Sequence, residues 1–150
     1  MQIVDILRPY LATIHLFCSV VLFAVAVYIL ISRFKIYIAR VTFFIVLGFS
    51  LWSFTNFLVV FVTSQEQAAV ILKIGFVGWM FLPATLVWFA IAFVKNKTVL
   101  RSAYFPLLLF IIPLFLLFVA VFHNYFPIEK TKFGWEQFWP EHIISYIYYD

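Results

Sequence analysis

Charged side chains are scarce in this chain of 150 residues. Asp, Glu, Lys and Arg together make up 11% of it, where a soluble domain has roughly 25%. That leaves too little polar surface for a soluble globule of 17.7 kDa. Cysteine is nearly absent: Cys18 alone cannot make an internal bridge, which excludes a disulfide scaffold. No Gly-rich phosphate loop, HExxH, CxxC or GxSxG is present, so no catalytic signature stands out. Acids are few, and all fall outside the apolar runs. Asp5 and Asp150 are terminal, and Glu66, Glu129, Glu136 and Glu141 lie in loops. Paired-acid chemistry inside a membrane and proton- or cation-coupled transport both argue for acids within the spans.

What is abundant is apolar. Hydrophobic residues make up 67% of the chain and aromatic ones 23%, with 21 Phe. Disorder needs the opposite composition. The chain reads as an integral membrane protein. Its net charge of +4 does not point to nucleic acid, because the basic residues fall in short loops between apolar runs.

A transmembrane helix needs about 20 mostly apolar residues. Residues 11–32, 41–62, 68–94 and 102–122 meet that test, and an incomplete span starts at residue 143. Runs such as FFIVLGF do not alternate apolar with polar, which argues against barrel strands. The expectation is one all-α domain over residues 1–150, a polytopic transmembrane bundle with four complete spans and the start of a fifth. Ala24-Val25-Ala26 has the shape of a signal cleavage site. Asp5 offsets Arg8, however, and the apolar run continues past Ala26, so the first helix is read as uncleaved.

Lys and Arg in short loops set orientation. Arg33, Lys35 and Arg40 occupy the first loop, and Lys95, Lys97 and Arg101 the third. The other side has Arg8, Lys130 and Lys132. Six against three puts the first and third loops in the cytoplasm and the N-terminus outside.

Polar groups in the spans are the candidates for function, because each is costly without a partner. Lys73 either snorkels to the outer interface or lines an outward-facing cavity. His15 is either an interface residue or a ligand contact. Asn56 either bonds a neighbouring helix or faces a site. His123 and Asn124 cap the outer end of the fourth span. With Trp79 these are the ligand-binding candidates, and all but the tryptophan come out in the outer half. Pro83 and Pro113 are expected kinks. Gly75 and Gly78 read as helix packing. Residues 123–142, rich in aromatics, either lie on the membrane surface or fold over the bundle mouth. No metal site and no cofactor is expected. The expected partners are membrane lipids, a small apolar or amphipathic ligand and a second copy of the chain.

Several of these residues carry a family resemblance. The run Leu47-Gly48-Phe49-Ser50-Leu51-Trp52-Ser53-Phe54 has a distinctive spacing of small residues and Trp. Ile74-Gly75-Phe76-Val77-Gly78 follows, then Pro83, Phe89 and Phe93, and then Pro113 with His123-Asn124 beyond it. Together, over roughly residues 11 to 150, these resemble the N-terminal seven-helix region of bacterial membrane sensor histidine kinases. The resemblance implies an N-outside sensor in the bacterial cytoplasmic membrane. Its last helix would lead into a cytoplasmic kinase, and helices five to seven and the catalytic domain would lie beyond this sequence. The family supplies no set of binding residues to carry over, so the candidates above rest on polarity and depth. A structural subunit of a membrane complex and a piece of a transporter are the competing readings.

Overall fold

The computed structural model describes residues 3–94, 102, 104–122, 128–130 and 135–137. Four helices appear among them: α1 (Ile3–Ser32), α2 (Tyr37–Val59), α3 (Gln65–Phe93) and α4 (Tyr104–Phe122). Two strands of three residues, β1 (Ile128–Lys130) and β2 (Trp135–Gln137), pair antiparallel with Ile128 opposite Gln137. This hairpin is the one departure from an all-α chain among the described residues.

The helices begin and end where local chemistry dictates. α1 starts eight residues before the expected boundary at residue 11, because a helix does not stop where hydrocarbon stops. Its candidate span is Pro9–Ser32, and the residues before Pro9 extend it beyond that stretch. Residues 33–36 then turn the chain, with the Arg33 amide donating to the Ile29 carbonyl and the Ile36 amide to Arg33, both at 2.9 Å. α2 tightens at its end, where the Val60 and Phe61 amides reach back three residues to Phe57 and Leu58. Ser64 caps α3: its backbone is extended and its hydroxyl accepts from the Gln67 amide. Glu66 therefore stands in the first turn of α3 and not in a loop, where it faces the positive end of the helix dipole. Pro83 and Pro113 both sit inside continuous helices, the first exposed and the second buried.

Three helices are long and apolar enough to cross a membrane: Pro9–Ser32 of α1, Tyr37–Val59 and Gln65–Phe93. In α4 the corresponding apolar stretch is the shorter Leu107–Val119, so three spans, not four, meet the criterion among the described residues. The run from residue 143 lies outside the described residues.

Each helix packs on the next: α1 on α2, α2 on α3, α3 on α4. The described helices thus form a row of consecutive antiparallel neighbours. Their interfaces are made of small side chains. Ala12, Ala26, Ala68, Ala84 and Ala92 are buried, with Gly75, Gly78, Ser19, Ser50 and Ser53. Ile29, Val41, Val59, Met80 and Leu82 are buried with them, but most of the large apolar side chains point outward. Phe17 is 69% exposed, Ile31 79% and Phe115 65%. In water such a surface would be a very large apolar patch. In lipid it is the expected arrangement, because tails solvate Leu and Phe while close helix approach needs small residues.

α2 and α3 approach closely at their middles. A β-carbon built on Gly78 would lie 2.6 Å from the Gly48 carbonyl oxygen, and one on Gly48 would lie 3.1 Å from the Gly78 carbonyl. The two backbones touch. One turn along α3, a β-carbon on Gly75 would collide with the Thr55 hydroxyl. Gly75 and Gly78 are therefore packing glycines.

Candidate functional site

Three of the polar and aromatic candidates converge on one residue of α2, Trp52. The His15 ring of α1 meets the Trp52 indole edge-on, with centroids 6.5 Å apart and planes at 77°. On the other side Trp79 of α3 lies 5.7 Å from Trp52, tilted by 34°. The side-chain amide of Asn56 donates to the Trp52 carbonyl at 2.8 Å. A line from His15 through Trp52 to Trp79 thus crosses three helices. Trp52 sits about two turns from the C-terminal end of α2, on the α2–α3 turn side of the Gly48–Gly78 contact.

Asn56 was expected to bond a neighbouring helix, and it bonds its own instead. Thr55 does the same, donating to the Leu51 and Trp52 carbonyls at 3.1 and 2.9 Å. A short polar side chain in lipid satisfies itself most cheaply on the preceding turn of its own helix. No buried side-chain N or O is left without a partner among the described residues. Lys73 is half-buried on α3 and has a partner. His123 and Asn124 lie outside the described residues.

Of residues 123–142, read as lying on the membrane surface or folding over the bundle mouth, the two strands of the hairpin are described. There the Trp135 indole donates to the Val62 carbonyl at 3.0 Å, and the Gln65 side-chain amide donates to the Ile128 carbonyl at 3.3 Å. β1 and β2 both touch α3. The hairpin therefore docks on the α2–α3 turn, at the end of the molecule nearer the His15–Trp52–Trp79 line.

Two contacts were not singled out from sequence. Ser19 and Ser50 bridge α1 and α2 reciprocally: the Ser19 hydroxyl donates to the Ser50 carbonyl at 3.1 Å and the Ser50 hydroxyl to the Ser19 carbonyl at 2.9 Å. Two small hydroxyls within Leu- and Val-rich runs were the available signal. The second is at the opposite end, where the Trp88 indole donates to the Tyr37 hydroxyl at 2.6 Å. Arg40 stacks its guanidinium 5.4 Å from the Tyr37 ring. Near these groups is an apolar cavity of about 360 Å³, lined by Phe44, Val77, Phe81, Thr85, Trp88 and Phe110. It opens between α2, α3 and α4, from the middle of α3 at Val77 toward Trp88.

Long apolar helices, small buried residues and large exposed ones define a membrane-embedded helical protein. Residues 14–148 match the family model described as the N-terminal 7TM region of histidine kinase. The chain belongs to that family, whose description is of an N-terminal membrane region of histidine kinases. Neither the curated proteins nor the solved structures gave a match.

Proposed function

We propose that the chain is the sensory input region of a bacterial signal-transduction histidine kinase. It spans the cytoplasmic membrane several times with its N-terminus outside. It detects an extracytoplasmic or membrane-borne signal and passes it to a cytoplasmic kinase. The observation that carries this is the family match over residues 14–148.

The packing supplies a physical means. A signal changes output only if it has different contacts in two arrangements of the helices. His15, Trp52 and Trp79 link three helices through ring contacts, which tolerate small rotations better than hydrogen bonds do. A ligand or bilayer state that displaced His15 from Trp52 would bias the α1–α2 pair relative to α3. The docked hairpin stands at the same end, on the side the charge count assigns to the outside.

The test is to read the gene past the codon for Asp150. An open frame running through further apolar segments into a kinase domain supports the reading and names the output. A stop codon there overturns it in favour of a stand-alone membrane subunit.

A further inference from the structure

We propose that the α1–α2 loop and the α2–α3–α4 groove together form a binding site for one anionic phospholipid, taken from the leaflet that this loop faces. The inference rests on the membrane setting and not on the sensory reading.

The headgroup end is an open cavity of about 860 Å³ at the end of α1 and the start of α2. Arg33, Lys35 and Arg40 line it, with Phe34 and Ile36 between them. All three cations are exposed, and none has an ion-pair partner among the described residues. Cations on the short loop between two spans stand at headgroup level, where an anionic lipid is the most concentrated counter-charge.

The chain end is the apolar groove of about 360 Å³. Its volume lies within the range of roughly 300–1,000 Å³ that encloses small ligands. Phe44 is seven residues beyond Tyr37 on α2, so it lies about 10 Å deeper in the bilayer. Aromatic rings form much of its wall, with Phe81 and Trp88 each packed on Phe110 at 5.9 and 5.7 Å.

Three residues join the two ends. Arg40 lines the basic cavity and stacks on Tyr37; the Tyr37 hydroxyl accepts from Trp88; and Trp88 lines the groove. The gradient runs from three cations, through a hydroxyl and an indole at interface depth, to a slot that is apolar but for Thr85. That order matches an anionic diacyl lipid from phosphate through glycerol to one acyl chain. A zwitterionic lipid would satisfy the slot but leave the cations without compensation.

Lipid retention by the purified full chain tests this, read by native mass spectrometry after exposure to phosphatidylglycerol and phosphatidylcholine in equal amounts. The wild type is expected to retain phosphatidylglycerol preferentially. Arg33→Gln, Lys35→Gln and Arg40→Gln are expected to lower that preference about fivefold each, since each interfacial cation is worth roughly 1 kcal/mol. Val77→Trp fills the slot from a half-exposed position and is expected to reduce retention of both lipids, with helicity by circular dichroism unchanged. Glycerol 3-phosphate, which has the charge without the chains, is expected not to displace the lipid. The proposal is overturned if the two lipids are retained equally, if the triple Gln variant keeps the preference, or if glycerol 3-phosphate competes. Failure there leaves the kinase-input reading untouched, because that is decided by the gene.

Discussion

Gly78→Ala separates two kinds of tight contact on α3. The added methyl would stand 2.6 Å from the Gly48 carbonyl oxygen and 3.4 Å from the Leu51 β-carbon. Ordinary contact begins at about 3.4 Å, so the α2 backbone must retreat by 3.4 − 2.6, about 0.8 Å. A gap of roughly that size forfeits a quarter to a half of the dispersion attraction for the atoms facing it. Overpacking of this kind costs about 1–3 kcal/mol. Replacing a helical glycine by alanine returns up to about 1 kcal/mol. With the full return, the net loss is up to about 2 kcal/mol.

The obstacle is backbone, so no truncation on α2 relieves it. Gly75→Ala meets a side chain instead, the hydroxyl and methyl of Thr55. Thr55→Ala removes both and should recover much of the loss caused by Gly75→Ala. Leu51→Ala should not rescue Gly78→Ala. The assay is reversible unfolding by SDS titration in bicelles, followed by circular dichroism. A Gly78→Ala protein as stable as the wild type would refute the close-approach argument. Equal rescue of both alanines by α2 truncations would refute the distinction between backbone and side-chain contact.

Other outcomes follow from the same geometry. Ser19→Ala and Ser50→Ala each remove one hydroxyl-to-carbonyl bond between α1 and α2 and should each cost about 0.6 kcal/mol, the usual size of an interhelical bond in a membrane; no loss of stability in either variant would mean that the bonds do not hold the pair together. In a Cys18→Ser background, Ser64→Cys should react with an impermeant maleimide added outside intact cells and Lys35→Cys should not; the reverse pattern would invert the orientation set by Arg and Lys counts. Trp135→Phe removes the donor to Val62, so hydrogen exchange in residues 128–130 should speed up while the helix content holds; unchanged protection there would show that the hairpin is held by other contacts.

Three of the spans and the packing glycines were legible in the sequence because each depends on local composition. Twenty apolar residues make a helix in lipid whatever their neighbours are, and a glycine three residues from another marks a face where little else fits. Helix ends were less legible. Hydropathy finds where hydrocarbon begins, whereas α1 continues back to Ile3 and α3 starts at the Ser64 cap. The site was least legible. His15, Asn56 and Trp79 were found by residue type, but Trp52, on which they converge, looked like any core tryptophan. Which side chain meets which across an interface depends on the rotation of each helix about its axis. Four nearly all-apolar helices give no clear periodicity to fix that rotation. The Tyr37–Trp88 bond joins residues 51 apart and could not be read from either segment alone.

The single-file arrangement of the helices bears on how the protein is made. Each helix finds its partner in the segment synthesised just before it, so the packing contacts span the shortest possible lengths of chain. Low contact order of this kind favours rapid folding. α1 and α2 can close on each other as a hairpin through Ser19 and Ser50 before α3 is synthesised, and α3 can then dock by its glycines without displacing anything. α4 is made after these three and touches chiefly α3 among the described helices. Among the described helices assembly order and chain order coincide, and a pull from the C-terminal side should release α4 before α3, α2 and α1.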